Sequence, residues 1–330
     1  MIKELIFDEC DGFEQCHAAT LSYGVGGDIL AAWFAGTSEG KNDVAIWLSV
    51  RRSGRWSRPA KVAKVNETPH WNPVLFNPGD GVIHLYFKTG LTIPEWITWV
   101  TSTRDGGATW SEPVELVPGD ASGGRGPVKN KPVVSSNGDW LAPGSVETKS
   151  EWSAFCDLSS DGGATWIRSD LIRLQGGEDM GKGVIQPTLW ESERGKVHML
   201  LRSTCGKVCR SDSEDGGRTW TPAVPIDLPN NNSGLDLTRL PDGRLVLIHN
   251  PTADRKKRSP LSLSVSKDNG VKWDRIVDVE TETENFDGAA ENPFFKAAEF
   301  SYPSIISSGA TVSAVYTVHR RKIAFIQKEM

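Results

Sequence analysis

The sequence predicts an all-β chain folded as a six-bladed β-propeller, and three observations carry that expectation. The pattern Ser-x-Asp-x-Gly-x-x-Trp occurs at Ser159 to Trp166, Ser213 to Trp220 and Ser266 to Trp273, and with Thr for Ser at Thr103 to Trp110. A worn fifth copy, Ser49 to Trp56, keeps the Gly and the Trp but has lost the Asp. The five tryptophans, at 56, 110, 166, 220 and 273, are spaced by 54, 56, 54 and 53 residues, a constancy that marks a repeat architecture. A unit of about 54 residues accommodates four short strands with their turns, which is one blade, and the 330-residue length holds about six such units.

Each box follows a β-branched or aliphatic run, such as Thr98 to Thr101 or Leu261 to Val265, and reads as a hairpin turn. The Asp carboxylate accepts backbone N–H groups across the turn, the Gly supplies positive φ, and the Trp covers the seam between units. Asp105, Asp161, Asp215 and Asp268 are therefore scaffold. Five boxes mark five blades. The sixth is expected from both chain ends, with 304–316 and 322–327 pairing with 3–7 so that the ring closes and no sheet edge stays open. No linker rich in Pro, Gly or Ser divides residues 1–330, which are read as one domain.

Composition narrows the function classes. Hydrophobic residues make up 38% and charged residues 24% of the chain, enough apolar material for a packed core. The formal net charge of -5, without a run of one sign, argues against nucleic acid as a partner. No segment has the length of a signal peptide core or a membrane span, so a cytoplasmic protein without a membrane partner is expected. Cys10, Cys16, Cys156, Cys205 and Cys209 form no CxxC pair and read as reduced thiols. Neither metal-ligand spacing among the histidines nor a phosphate-cradling glycine motif is present, and no cofactor is expected.

Five boxes at this spacing, separated by long polar loops, resemble the sialidase (neuraminidase) superfamily of Asp-box propellers over essentially the whole chain. The resemblance implies a sialidase-like propeller whose pocket holds three arginines around a sugar carboxylate, an Asp acid/base, and a Tyr nucleophile activated by a Glu. Asp43, in the loop 36–43 between two apolar runs, matches the acid/base position, with Glu39 as the alternative. Arg202, ending the apolar run 197–201, matches the second arginine. Its planar fork suits a carboxylate. Arg258 best matches the third arginine in the loop 250–261, where Arg255 also stands. Tyr302, before Pro303, matches the nucleophile.

Two positions depart from the pattern. His17 stands where the family has its first arginine, adding a group expected to titrate near neutral pH. Gln186 stands where the activating Glu belongs, and an amide can hold a phenol but cannot accept its proton. Lys129 and Lys131, in the compact stretch 126–132, are candidates to replace the missing positive charge. Asp236 and the amides of 230–232 suit sugar hydroxyls, while Trp71 and Trp96 lie in loops where a ring could stack on a sugar. These features favour a sialidase-like exo-glycosidase acting on an acidic sugar or oligosaccharide, a small carbohydrate substrate. The alternatives are a uronate-directed lyase using His17 or Tyr302 as base, and a glycan-binding propeller without activity.

Overall fold

A computed structural model describes residues 1–9, 12–176, 180–282 and 298–330. Its described strands form six antiparallel sheets, in the order expected of a propeller. The first blade is β2 (Gln15–Tyr23), β3 (Ile29–Gly36), β4 (Ala45–Arg52) and β5 (Arg55–Trp56), with β6 (Ala60–Ala63) also paired to β4. The second is β7 (His70–Phe76) to β10 (Val114–Glu115), through β8 (Ile83–Thr89) and β9 (Ile97–Thr103). The third holds β11 (Val133–Val134), β12 (Trp140–Glu147), β13 (Trp152–Ser159) and β14 (Ile167–Arg168). In the fourth come β15 (Val184–Glu193), β16 (Lys196–Ser203), β17 (Lys207–Ser213) and β18 (Val224–Pro229). The fifth has β19 (Asp236–Arg239), β20 (Leu245–His249), β21 (Leu261–Ser266) and β22 (Asp274–Glu280).

The sixth blade closes the ring as the sequence suggests: β23 (Phe300–Ser308), β24 (Thr311–Val318) and β25 (Lys322–Glu329) are completed by β1 (Ile2–Leu5) from the other end of the chain. This clasp explains how the first blade manages without its box Asp. Glu4 on β1 accepts from Arg51 Nε at 2.7 Å and from Trp56 Nε1 at 2.8 Å, so a carboxylate from the closing strand holds the worn turn.

The four intact boxes behave alike. The Ser or Thr hydroxyl donates to the Asp carboxylate at 2.8 Å, and the same carboxylate accepts the backbone N–H four residues on at 2.9 Å. The Trp then packs across a blade boundary, Trp110 with the cluster of Leu30 and Leu48, and Trp220 with that of Leu141. Burial of these seams is the main force joining blades, at about 25 cal/mol per Å² of apolar surface.

Inner strands β2, β7, β15 and β23 share a deformation. Each has a register shift, and within it Ala18, Asn72, Gln186 and Tyr302 have φ of 55°, 39°, 52° and 50°. Positive φ at residues with a Cβ costs on the order of 1–3 kcal/mol each and persists where the surroundings enforce it. A bulge turns side chains out of the pleat, and here two of the four strained residues are Gln186 and Tyr302.

Candidate active site

Tyr302 is the centre of the site. Its hydroxyl accepts from Arg202 Nη1 at 2.7 Å and from Gln186 Nε2 at 3.3 Å. Gln186 Oε1 in turn accepts from the same Arg202 nitrogen at 3.1 Å, and Arg202 Nε donates to Asn232 Oδ1 at 2.9 Å. The phenol ring lies 5.8 Å from Cζ of Arg202 and 5.6 Å from Cζ of Arg258, within cation–π range. His17 closes the ring's other side, centroid to centroid at 4.3 Å. Strands from the first, fourth and sixth blades, with the loop before β21, thus bring His17, Gln186, Arg202, Arg258 and Tyr302 together.

Arg320, in the turn between β24 and β25, is a residue that sequence reasoning missed. Its backbone carbonyl accepts the N–H of Cys16, its Nε donates to Glu299 Oε2 at 3.1 Å, and Nη1 pairs with Glu39. Glu299, fully buried, also accepts from Arg258 Nη1 at 2.6 Å and from Ser301 Oγ at 2.8 Å. One carboxylate therefore orients two guanidinium groups. A third arginine is present beside His17, although no arginine occupies the opening strand.

His17 is corrected in one respect. Burial, followed by the positive charges of Arg320, Arg258, Arg202 and Lys129, pushes its pKa well below the usual imidazole range, so it is neutral near pH 7 rather than titrating there. Its Nδ1 is 3.1 Å from Thr317 Oγ1, and its buried Nε2 has no hydrogen-bond partner among the described residues.

The remaining candidates fall in other places. Lys129 lies beneath the site, its Nζ donating to Asn130 Oδ1 at 2.8 Å, to Leu235 O at 3.2 Å and to Pro303 O. Burial lowers its pKa to about 7. Lys131 pairs with Asp236 at 2.9 Å, and Asp236 also accepts from Thr188 Oγ1 at 2.7 Å and Ile305 N at 2.9 Å. These two bring four blades together near the axis and neutralise one another there. Asp43 is exposed, and its Oδ2 accepts from Thr37 N and Thr37 Oγ1, both at 2.7 Å. Burial, the largest single effect, would raise its pKa, but the Thr37 bonds, its own backbone N–H and the charge of Lys64 together outweigh it and hold the carboxyl below the usual range. Glu39, from the same loop, reaches the cluster through Arg320. Arg255 donates to Thr204 O. Trp96 is buried, whereas Trp71 is half-buried, 5.7 Å from Trp96 and 5.9 Å from Phe34 between ring centroids.

Such a constellation can hold an anion between guanidinium groups, beside the Tyr302 oxygen. Solved structures share the fold. A Hadza microbial sialidase, Hz136, superposes with a TM-score of 0.80 at 16% identity, covering 97% of this chain and 66% of that one. A Dyadobacter fermentans protein of unknown function gives 0.76 at 17%, covering 99% and 98%. The NanB sialidase from Streptococcus pneumoniae gives 0.72 at 13%, covering 99% and 70%. This chain thus spans just under two thirds of the Hz136 chain, and about seven tenths of NanB. No curated protein matches the sequence. The BNR repeat-like domain model matches residues 27–315, and with its repeated boxes and sialidase-like propeller the chain belongs to that family.

Proposed function

We propose that the protein is an exo-acting glycoside hydrolase of the sialidase-like kind, removing a terminal acidic sugar from a small carbohydrate. The observation that carries this reading is the Tyr302 hydroxyl held at 2.7 Å by Arg202, with Arg258 beside the same ring. Arg202 and Arg258, with Arg320 oriented by Glu299, hold the sugar carboxylate. Tyr302 faces the anomeric carbon and stabilises or captures the developing oxocarbenium. Asp43, on the loop 36–43, protonates the leaving oxygen. Lys129, Lys131 and Asp236 support the floor from below, and Glu39 positions Arg320.

A second reading is favoured by one observation. Buried His17, neutral and with an Nε2 that has no hydrogen-bond partner among the described residues, lies beside Tyr302, and a neutral imidazole nitrogen can accept a proton next to a uronate carboxylate. Incubation with a fluorogenic sialoside and a panel of aryl uronides and unsubstituted acidic oligosaccharides separates the two. Hydrolysis releases a saturated reducing sugar, whereas elimination leaves an unsaturated uronate absorbing in the near ultraviolet. Binding of an acidic sugar without either product after long incubation makes the protein a glycan-binding propeller and ends both enzymatic readings.

A further inference from the structure

Gln186 leaves the proposed reaction without a group to accept the Tyr302 proton. A carboxyl suited to that task lies on the third blade. Glu147 ends β12 directly opposite Trp152 of β13, and directly paired residues of antiparallel strands project from the same face. The Trp152 ring lies 5.6 Å from Cζ of Arg202. Ser145, two residues earlier and so on the same face as Glu147, accepts the backbone N–H of Gln186 at 3.3 Å. The hairpin therefore turns Glu147 toward Arg202 and Gln186.

Glu147 is half-buried, and its carboxyl has no hydrogen-bond or ion-pair partner among the described residues. The other carboxyls around the site are engaged: Glu39 and Glu299 with Arg320, Asp236 with Lys131, and Asp43 with Thr37. Glu147 thus lies in the field of Arg202 and Lys182 without bonding either.

We infer that Glu147 is the base of this site, receiving the proton of the Tyr302 hydroxyl through one water. The inference rests on the glycosidase reading. In the first half-reaction the Tyr302 O–H bond breaks, its proton passes to Glu147, and the phenol oxygen bonds to the anomeric carbon. The leaving oxygen departs with the Asp43 proton. In the second, water bonds to the anomeric carbon and returns a proton to Asp43, while the departing Tyr302 oxygen recovers its proton from Glu147.

The surroundings fit a base. Burial raises the Glu147 pKa, against the lowering effect of the positive Arg202 and Lys182. These are the charged groups facing it from β16 and from the segment before β15. Gln186 on β15 and Trp152 on β13 carry no charge. A sugar carboxylate bound at Arg202 cancels part of the opposing charge, strengthening the base further. Binding at mildly acidic pH must then draw a proton from solvent onto Glu147.

The test is calorimetric titration with N-acetylneuraminate and with glucuronate, across mildly acidic to neutral pH, in two buffers of different ionisation heat. Wild type, Glu147→Gln and Glu151→Gln are compared. Glu151, paired with Arg173 at the exposed hairpin end, is the control. Proton uptake is expected in wild type and the control, and a clearly smaller uptake in Glu147→Gln, where only Asp43 still gains a proton, while affinity stays within about tenfold. Turnover of the responsive fluorogenic glycoside should fall by about 10²–10⁴ in Glu147→Gln, with loss of the acidic limb of the pH profile. Unchanged uptake or unchanged turnover in Glu147→Gln overturns the inference and leaves the hydrolase reading standing. A wild type that neither binds these acids nor cleaves any glycoside overturns the hydrolase reading, and the inference falls with it.

Discussion

Arg202 donates to the hydroxyl oxygen of Tyr302 at 2.7 Å, although β16 and β23 lie two blades apart. The contact places a fixed positive charge on the one nucleophilic oxygen of the cluster, and Nη2 of the same guanidinium, unbonded among the described residues, is left for an incoming carboxylate. Replacing it by Met removes both roles. Turnover of an acidic aryl glycoside should drop by about 10²–10³, in line with the loss of one preorganised donor. Arg202→Lys should not restore it, because an ammonium cannot span phenol and carboxylate together. Steady-state kinetics on both variants check this; full activity in either removes Arg202 from the site.

Asp43 is ionised in the unliganded structure, with two Thr37 donors favouring its charged form. A proton donor must first gain its proton, so substrate has to displace those bonds. Asp43→Asn should cost about 10²–10⁴ in rate with a sugar or alkyl leaving group, and far less with an activated aryl group that departs unprotonated. Equal losses on both kinds of substrate would show that Asp43 does not protonate the leaving oxygen. Thr37→Val, which removes one donor, should move the Asp43 pKa upward.

Glu299 has no solvent contact and holds Arg258 and Arg320 at once. Deleting one partner of a buried ion pair leaves charge without compensation, at a cost of about 3–5 kcal/mol. Glu299→Gln should lose stability of that order in urea unfolding, and also weaken binding of acidic sugars because two guanidinium groups lose their orientation. Unchanged stability would mean that the arginines find other acceptors.

What was legible in the sequence follows from where each interaction is encoded. The boxes are local turn chemistry, with Asp161 bonding Ser159 and Thr165 within a few residues, and so they announced five blades and, through their spacing, the sixth. Tyr302, Arg202 and Gln186 stood out by their resemblance to family positions, and the structure brings these three into contact. Arg320 was not legible: it looks like an ordinary turn residue, and it meets Cys16 and Glu39 only because the last blade closes against the first. Glu4 replacing the lost box Asp depends on the same closure. Asp236 and Lys131 read as pocket residues because nothing in a linear sequence reveals a buried axis. One available signal went unused, since Asn72-Pro73, Gln186-Pro187 and Tyr302-Pro303 repeat at the bulged inner strands.

Lys129 offers a test of how that axis is built. Its Nζ reaches the carbonyl of Pro303, directly after Tyr302, so it fixes the floor on which the phenol stands. Burial lowers its pKa to about 7, with Asp236 opposing and Lys131 and Arg202 reinforcing the shift. An unfolded lysine keeps its proton to about pH 10. Between those values the unfolded chain binds more protons than the folded one, so stability must rise with pH across this window, by at most about 1.4 kcal/mol per unit. Below pH 7 both states hold the proton and the contribution is constant. The stability difference between wild type and Lys129→Met, measured by urea unfolding from pH 6 to 9, should therefore be flat up to about 7 and then shift in favour of wild type. Lys88, buried with a similarly lowered pKa, is common to both proteins and cancels. A difference that stays flat to pH 9 would mean that Lys129 keeps its proton when folded, its carbonyl acceptors compensating for burial, and that the floor beneath Tyr302 carries a full positive charge.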